Sequence, residues 1–137
     1  MKILKLKKYD FENHLILHFK LIHGVSQDFL KMRSNFKISI VNMFDTMEIC
    51  KVMEMPKQNF KYVVERYLGY FIFKFGRKAD WNQRPLPDLH KKYARTDTRI
   101  LFLLYTKLCI LANLDEIDEM KSNLKRYCRG WEIQTPI

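Results

Sequence analysis

The sequence predicts a single α/β domain, and three observations support this prediction. Short segments with strand-like alternation are interleaved with longer segments whose apolar residues recur at helical spacing. The chain of 137 residues contains only four Gly and four Pro, which argues against a turn-rich all-β fold. Its 47% hydrophobic residues exclude a disordered basic tail and suffice for one core. We therefore expect residues 1–137 to form one domain, with helices packed on a mixed or parallel sheet.

Strands are expected mainly in the first third of the chain. The pattern predicts them at residues 2–7, 18–22 and 36–41. His23-Gly24 marks the end of the second strand, and Ser26 can cap a helix that runs through about Arg33.

Helices dominate the remainder of the chain. Asp45-x-x-Glu48 has the form of a capping box and opens one helix. Asn59 introduces a second, which Gly69 closes. The helical patterns cover residues 60–68, about 88–111 and 114–128, and a loop precedes the long helix.

Asp97 is the first candidate for chemistry, because it lies on an apolar stripe of the long helix. The stripe consists of Tyr93, Asp97, Ile100, Leu104, Leu108 and Leu111. A buried aspartate is costly unless its charge is satisfied, and no residue three or four positions away is basic. Either Asp97 is solvated at the edge of the stripe, or a metal ion or a basic group from another element meets its charge.

Asp28 and Asp45 are the other candidate carboxylates. Asp28 falls in the first turn of a helix that follows a strand, where helix N-termini favour acidic residues for structural reasons alone. It is therefore as consistent with a structural role as with a functional one. Asp45 is already explained by its place in the capping box.

The charge of the chain favours polyanionic partners. Lys and Arg number 25 against 15 Asp and Glu, a formal charge of +10. RNA, DNA and an anionic membrane surface would all suit this charge, which also simply promotes solubility. The longest apolar runs are far shorter than the roughly 20 residues of a membrane span, and no signal peptide is visible. We expect a soluble intracellular protein without a membrane partner.

Two sequence blocks in the second half carry a resemblance to a known family. Residues 79–87 read ADWNQRPLP, and residues 93–98 read YARTDT. Together they resemble the third exonuclease motif of the ribonuclease D family, within the DEDD superfamily of 3′–5′ exonucleases. The resemblance is closest to the nuclear exosome exoribonuclease branch.

Three further segments agree with this resemblance. KLIHGVSQD at residues 20–28 resembles the second exonuclease motif, a strand ending in His-Gly and a helix with a catalytic aspartate. IVNMFDT at 40–46 resembles the family's next strand and its F-D-T turn. LKRY at 124–127 resembles the segment that leaves the nuclease domain.

The resemblance implies a ribonuclease-H-like α/β fold and a specific chemistry. In this family four carboxylates bind two Mg²⁺ or Mn²⁺ ions for phosphodiester hydrolysis. Asp28 and Asp97 are then metal ligands and catalytic residues, and Tyr93 helps to position the attacking water. The implied activity is 3′-to-5′ hydrolysis of single-stranded RNA, with exosome components as possible partners and a nuclear location.

One departure from the family is expected to matter. The first motif, a D-x-E on the first strand, supplies the other two carboxylates. Asp10-Phe-Glu12 has this form but lies only 18 residues before Asp28. Two strands and a helix belong in that interval, which needs over about 30 residues. We therefore expect the chain to lack the first strands of the fold and the D-x-E motif.

Two functions follow as alternatives. One is an exoribonuclease domain whose site is incomplete in this chain, and the other is an inactive module that binds RNA or a processing complex. Candidate RNA contacts are Arg77, Lys78, Arg84, Lys91, Lys92 and Arg95. Arg84 and Trp81 are equally explained as residues that lock the loop against the long helix.

Overall fold

A computed structural model describes residues 18–36, 42–72 and 78–127. Two strands and five helices are found there. In chain order they are β1 (Lys20–Ile22), α1 (Val25–Phe36), β2 (Met43–Asp45), α2 (Thr46–Val52), α3 (Phe60–Leu68), α4 (Asp88–Leu111) and α5 (Leu114–Tyr127). None of the helices in these ranges is both long and apolar enough to cross a membrane.

The two described strands are parallel, which agrees with the predicted mixed or parallel sheet. β1 pairs with β2, with Lys20 opposite Met43 and Ile22 opposite Asp45. Helix α1 forms the crossover between the two strands. All three residues of β2 are buried, whereas those of β1 are half-buried. The domain is therefore of the α/β class in the part that the structure describes.

The core lies where the helices meet each other and the sheet. Its fully buried side chains come mainly from α2 to α5 and include Ile49, Val63, Val64, Leu104, Leu108 and Met120. The Tyr105 ring of α4 packs edge-on against Phe44 of β2, with ring centroids 4.9 Å apart. This contact holds the C-terminal half of α4 against the sheet.

Asp45 ties two helices to the end of the sheet. Its carboxylate accepts hydrogen bonds from the amides of Met47 (2.8 Å) and Glu48 (3.3 Å), which confirms the predicted cap of α2. The same carboxylate also accepts from the amides of Gly24 (2.9 Å) and Val25 (2.8 Å) at the start of α1. One side chain therefore satisfies backbone donors at two helix N-termini.

This arrangement corrects the prediction that Ser26 caps α1. The helix begins one residue earlier, at Val25, so Ser26 is already inside it. The amides of Gly24 and Val25, at the very start of the helix, instead donate to Asp45, which lies about twenty residues along the chain. Gly24 adopts a positive φ of 82° there, and an added Cβ would meet the Met47 sulfur at 3.1 Å. The turn thus favours glycine on two counts.

The predicted helices after residue 45 are confirmed, whereas the predictions of the early strands agree less well with the structure. α3, α4 and α5 match their patterns, and Gly69 closes α3 with a left-handed φ of 71°. Phe36, predicted to begin a strand, is the last residue of α1. The remainder of that strand, residues 37–41, and the strand predicted at 2–7 lie outside the described residues.

Candidate active site

Helix α4 carries the two central candidates, Tyr93 and Asp97. They lie one helical turn apart and are both half-buried. The predicted stripe continues from them through half-buried Ile100 to the core residues Leu104 and Leu108. Leu111, predicted at its end, is exposed. The stripe thus leads from the core outward to Asp97, which is neither fully solvated nor deeply buried.

A groove opens beside Asp97. Its volume is about 530 Å³. The groove is formed by the N-terminal half of α4 and the segment after α3, and it is lined by Phe71, Ile72, Leu89, Lys92, Tyr93, Thr96, Asp97 and Ile100. Its walls are mostly apolar, and among the described residues that line it Asp97 carries the one carboxylate. Sequence analysis did not single out Phe71, Ile72 or Leu89, because their meeting depends on how α3 packs against α4.

The surroundings of Asp97 disfavour its charged form. Burial raises the pKa of Asp97 above the ordinary 3.8, and a hydrogen bond with the Tyr93 side chain opposes this rise. No salt bridge to Asp97 occurs within the described ranges. Within these ranges, therefore, no basic side chain neutralises the Asp97 carboxylate.

The loop before α4 is held against the first turns of that helix. The Trp81 ring packs edge-on against His90, with centroids 5.0 Å apart, and lies 6.0 Å from Tyr93. The Arg84 guanidinium donates hydrogen bonds to the backbone oxygens of Trp81 (2.9 Å) and Gln83 (2.7 Å). Trp81 and Arg84 thus have the contacts of residues that lock the loop, and Trp81 supports the ring of Tyr93.

The second-motif segment is organised around His23. Its Nδ1 is 2.8 Å from the Thr46 hydroxyl oxygen, and that hydroxyl donates to the Ile22 carbonyl at 3.1 Å. The His23 ring also packs edge-on against Phe60. Burial lowers the pKa of His23 below 6.5, opposed by the Asp45 carboxylate and the backbone of Gln58. His23 therefore joins β1 to α2 and α3, a role that sequence analysis missed.

Asp28 is the fourth residue of α1, in its first turn. The hydrogen bonds from Gly24 and Val25 to Asp45 anchor this end of the helix at the carboxyl end of β1. Its backbone is thus placed as the sequence predicted, and its side chain lies outside the described part of the structure.

The six candidate RNA contacts differ in their surroundings. Lys78, Lys92 and Arg95 are exposed. Lys91 pairs with Asp88 at 3.6 Å, and Arg84 is engaged with its own loop. Arg77 lies outside the described residues. Of the six, Lys92 lines the groove in the part of the chain that the structure describes, and it lies in the N-terminal half of α4.

The chemistry of Asp97 suits a metal ligand, but it is not sufficient alone. Carboxylate oxygens are preferred ligands of Mg²⁺ and Mn²⁺, and an uncompensated charge beside an open groove is accessible to such an ion. Within the described side chains, no three His, Cys, Asp or Glu residues lie close enough to hold a metal together. A metal bound at Asp97 therefore requires ligands beyond these side chains.

Comparison with known proteins supports the family. The 3′-5′ exonuclease family matches residues 10–110. Protein RRP6-like 1 of Arabidopsis thaliana is 37% identical over 83% of this chain, and the Exosome complex component 10 homolog of Drosophila melanogaster is 35% identical over 65%. The matched regions are only 18% and 10% of those two proteins.

Solved structures share the fold. The catalytic core of RRP6 from Trypanosoma brucei superposes with a TM-score of 0.66 and 27% identity, over 77% of this chain and 30% of that one. Escherichia coli RNase D, with 23% identity, gives a TM-score of 0.62 over 79% of this chain and 31% of its own. The chain therefore belongs to the 3′–5′ exonuclease family and has the α/β fold of the RRP6 and RNase D exonuclease domains.

Proposed function

We propose that this chain carries part of a 3′–5′ exoribonuclease site that acts by phosphodiester hydrolysis. The observation that carries the proposal is the Asp97 carboxylate, which faces an open groove, lacks a salt bridge in the described ranges and is hydrogen-bonded with Tyr93. An acid held in this way has no evident structural purpose, because burial disfavours its charge.

The proposed roles follow from the chemistry of each residue. Exonucleases of the DEDD superfamily use divalent metal ions, and such an ion supplies a Lewis acid that activates water and stabilises the leaving oxygen. Asp97 and Asp28 would hold it. Tyr93, one turn from Asp97, would orient the attacking water through its hydroxyl group. Trp81 keeps the Tyr93 ring in place.

RNA as substrate, exosome components as partners and a nuclear location are proposed from the relatives. Two of them are named as RRP6-like or exosome component 10 proteins, and the formal charge of +10 suits a polyanionic substrate.

A second candidate function is an inactive module that binds RNA or a processing complex. It is supported by the exposed basic side chains of α4, Lys92 and Arg95, which suit RNA binding with or without hydrolysis. Such a module would keep the groove and the cationic residues of α4 without hydrolysis.

Degradation of a 5′-labelled single-stranded RNA with Mn²⁺ or Mg²⁺ separates the two candidates. An active site predicts a stepwise ladder that EDTA, Asp97→Asn and Asp28→Asn abolish and that Tyr93→Phe slows by about 10-fold or more. Asp88→Asn is the matched control, since its carboxylate lies on the same helix but is fully exposed. RNA binding without degradation by the folded wild-type chain would show that this chain alone does not hydrolyse RNA and would favour the binding module.

A further inference from the structure

Helix α4 has a second stripe of residues on the side opposite Asp97. Arg99, Phe102, Thr106 and Ile110 follow one another at helical spacing, so they share one side of the helix. With 3.6 residues per turn, Thr106 lies about 180° around the helix from Asp97. The side chains of this stripe, which we call the outer face, are exposed. The outer face is therefore separate from both the groove and the core.

The C-terminal part of the outer face is apolar. Ile110 is 75% exposed and Phe102 is 58% exposed. Thr106 lies between them, and its hydroxyl donates to the Phe102 carbonyl at 3.1 Å, so its polar group is satisfied within the helix. Leu114, four residues beyond Ile110, is 79% exposed. Neighbouring exposed apolar side chains of this kind are typical of a protein interface.

The two ends of the outer face carry opposite charges. Arg99 is at the N-terminal end. Beyond the C-terminal end, α5 begins with an acidic segment whose exposed residues are Asp115, Asp118 and Glu119. None of these four side chains forms a salt bridge within the described ranges. The last turn of α4 also has no basic residue to offset the negative end of its dipole.

This order of charges is complementary to itself. If two copies of α4 meet antiparallel about a two-fold axis at Thr106, residues equally far from Thr106 in the two directions lie opposite each other. Phe102 of one copy then meets Ile110 of the other. Arg99 lies about 10 Å along the helix from Thr106 and so meets the partner chain near the acidic start of α5.

We propose that the outer face of α4 is an interface between two copies of this chain, related by a two-fold axis at Thr106. Contact between Phe102 and Ile110 excludes water from apolar surface, and pairing of Arg99 with the acidic start of α5 sets the antiparallel direction. Each contact occurs twice in the dimer. Because the Asp97 groove is on the other side of α4, the dimer leaves it open, and the inference does not depend on the proposed function.

Sedimentation velocity of the purified chain from about 1 µM to about 1 mM tests the interface. The buffer contains about 0.15 M salt, which screens the repulsion between two positively charged copies beyond about 8 Å. The wild-type chain should change from monomer to dimer as its concentration rises. Ile110→Ser should raise the dimer dissociation constant by about 10-fold or more, because two apolar side chains are lost from each dimer. Leu30→Ser removes an exposed leucine from α1 and should leave the constant unchanged.

Charge reversal tests the direction of the two helices. Arg99→Glu and the double variant Asp115→Lys/Asp118→Lys should each weaken their own dimers by about 10-fold or more, because like charges then meet in both contacts. A mixture of these two variants should associate more tightly than either alone, since opposite charges meet again in both contacts. Arg66→Glu makes the same change in charge on exposed α3 surface, and should neither weaken the dimer nor gain from the mixture.

Three results would overturn the inference. One is a wild-type chain that stays monomeric over the whole concentration range, which would leave the outer face to a different partner. The second is a dimer that Ile110→Ser does not weaken. The third is a mixture of the two charge variants that associates no more tightly than either variant alone. Recovery of the dimer in the mixture also shows that both variants are folded, so a loss of association in each alone is not a loss of structure.

Discussion

Asp97 should lower the stability of the fold at neutral pH, because burial disfavours its charged form. Burial raises its pKa above 3.8, so the folded state disfavours the ionised form. In EDTA at pH 7, Asp97→Asn should therefore raise the urea midpoint. The gain should be below about 1 kcal/mol, because water screens a half-exposed group. It should vanish as the pH falls below about 3.8, where the wild-type carboxyl is protonated in both states.

Asp88→Asn is the control for this measurement, because it removes a carboxylate from the first turn of the same helix. It should lower the midpoint slightly, since an acid there interacts favourably with the helix dipole. A lower midpoint for Asp97→Asn as well would mean that Asp97 stabilises the fold and would weaken its assignment to a site.

His23 should lower the stability of the fold as the pH falls, whereas Asp97 should lower it as the pH rises. Its folded pKa lies below 6.5 because of burial, so protonation favours unfolding. Above about pH 7 the neutral ring does not reduce the free energy of unfolding. As the pH falls through 6.5 toward the folded pKa, the free energy of unfolding should decrease by no more than about 1.4 kcal/mol per pH unit. Urea midpoints at pH 7.5 and 5.5 measure this loss.

The matched variants are His23→Gln, which removes the titrating ring, and His18→Gln, which changes an exposed one. His23→Gln should reduce the difference in midpoint between the two pH values, and His18→Gln should not. An unchanged difference in His23→Gln would assign the pH dependence to other groups.

At the scale of secondary structure, substitution of Asp45 should reduce stability more than any other single substitution at this end of the sheet. It is 2% exposed and accepts four backbone hydrogen bonds at the starts of α1 and α2. Asp45→Ala would leave these donors without a partner and should cost about 2–4 kcal/mol in chemical denaturation. Asp45→Asn keeps one acceptor oxygen and should cost about 1–2 kcal/mol.

A comparable acid in a local helix start provides the control. Asp115→Ala changes an exposed residue in the first turn of α5 and should cost less than about 1 kcal/mol. A similar small loss for Asp45→Ala would show that water replaces the four hydrogen bonds and that the two helices do not depend on one cap.

Local signals and long-range contacts explain which elements were predictable. α3 to α5 follow periodic apolar patterns with recognisable ends, and these patterns depend only on neighbouring residues. The start of α1 depends on Asp45, and its end at Phe36 extends past the expected Arg33. A residue twenty positions away leaves no local signal, so the predicted Ser26 cap was wrong.

The candidate site likewise has one part that the sequence predicted and one part that depends on long-range contacts. The stripe with Tyr93 and Asp97 was visible in the sequence because its members lie on one helix. The wall opposite them was not, because Phe71 reaches the groove only through the packing of α3 on α4. Motif resemblance supplied the proposed role of Asp97 as a metal ligand, because spacing alone left it open between a solvated edge and a site.

At the scale of the whole molecule, the excess of ten positive charges should govern RNA binding. Each phosphate contact releases counterions, so the logarithm of the affinity should fall linearly with the logarithm of salt concentration, by about 0.7 per contact for a single strand. If the exposed cations of α4 face the RNA, Arg95→Gln should reduce this slope by about 0.7.

Lys125→Gln tests whether position matters beyond net charge. Lys125 is exposed in the last turn of α5, the helix that packs on α2. Lys125→Gln removes one positive charge, as Arg95→Gln does. An attraction that depends only on net charge therefore predicts the same salt dependence of RNA affinity for the two variants. If the RNA instead lies along α4, Lys125→Gln should leave the salt dependence of RNA affinity unchanged.

Lys91→Gln should reduce this salt dependence by an amount between those of Arg95→Gln and Lys125→Gln. The Lys91 ammonium already pairs with Asp88 at 3.6 Å and must break that contact to bind a phosphate. Equal slopes in all three variants would reject α4 as the RNA-binding face.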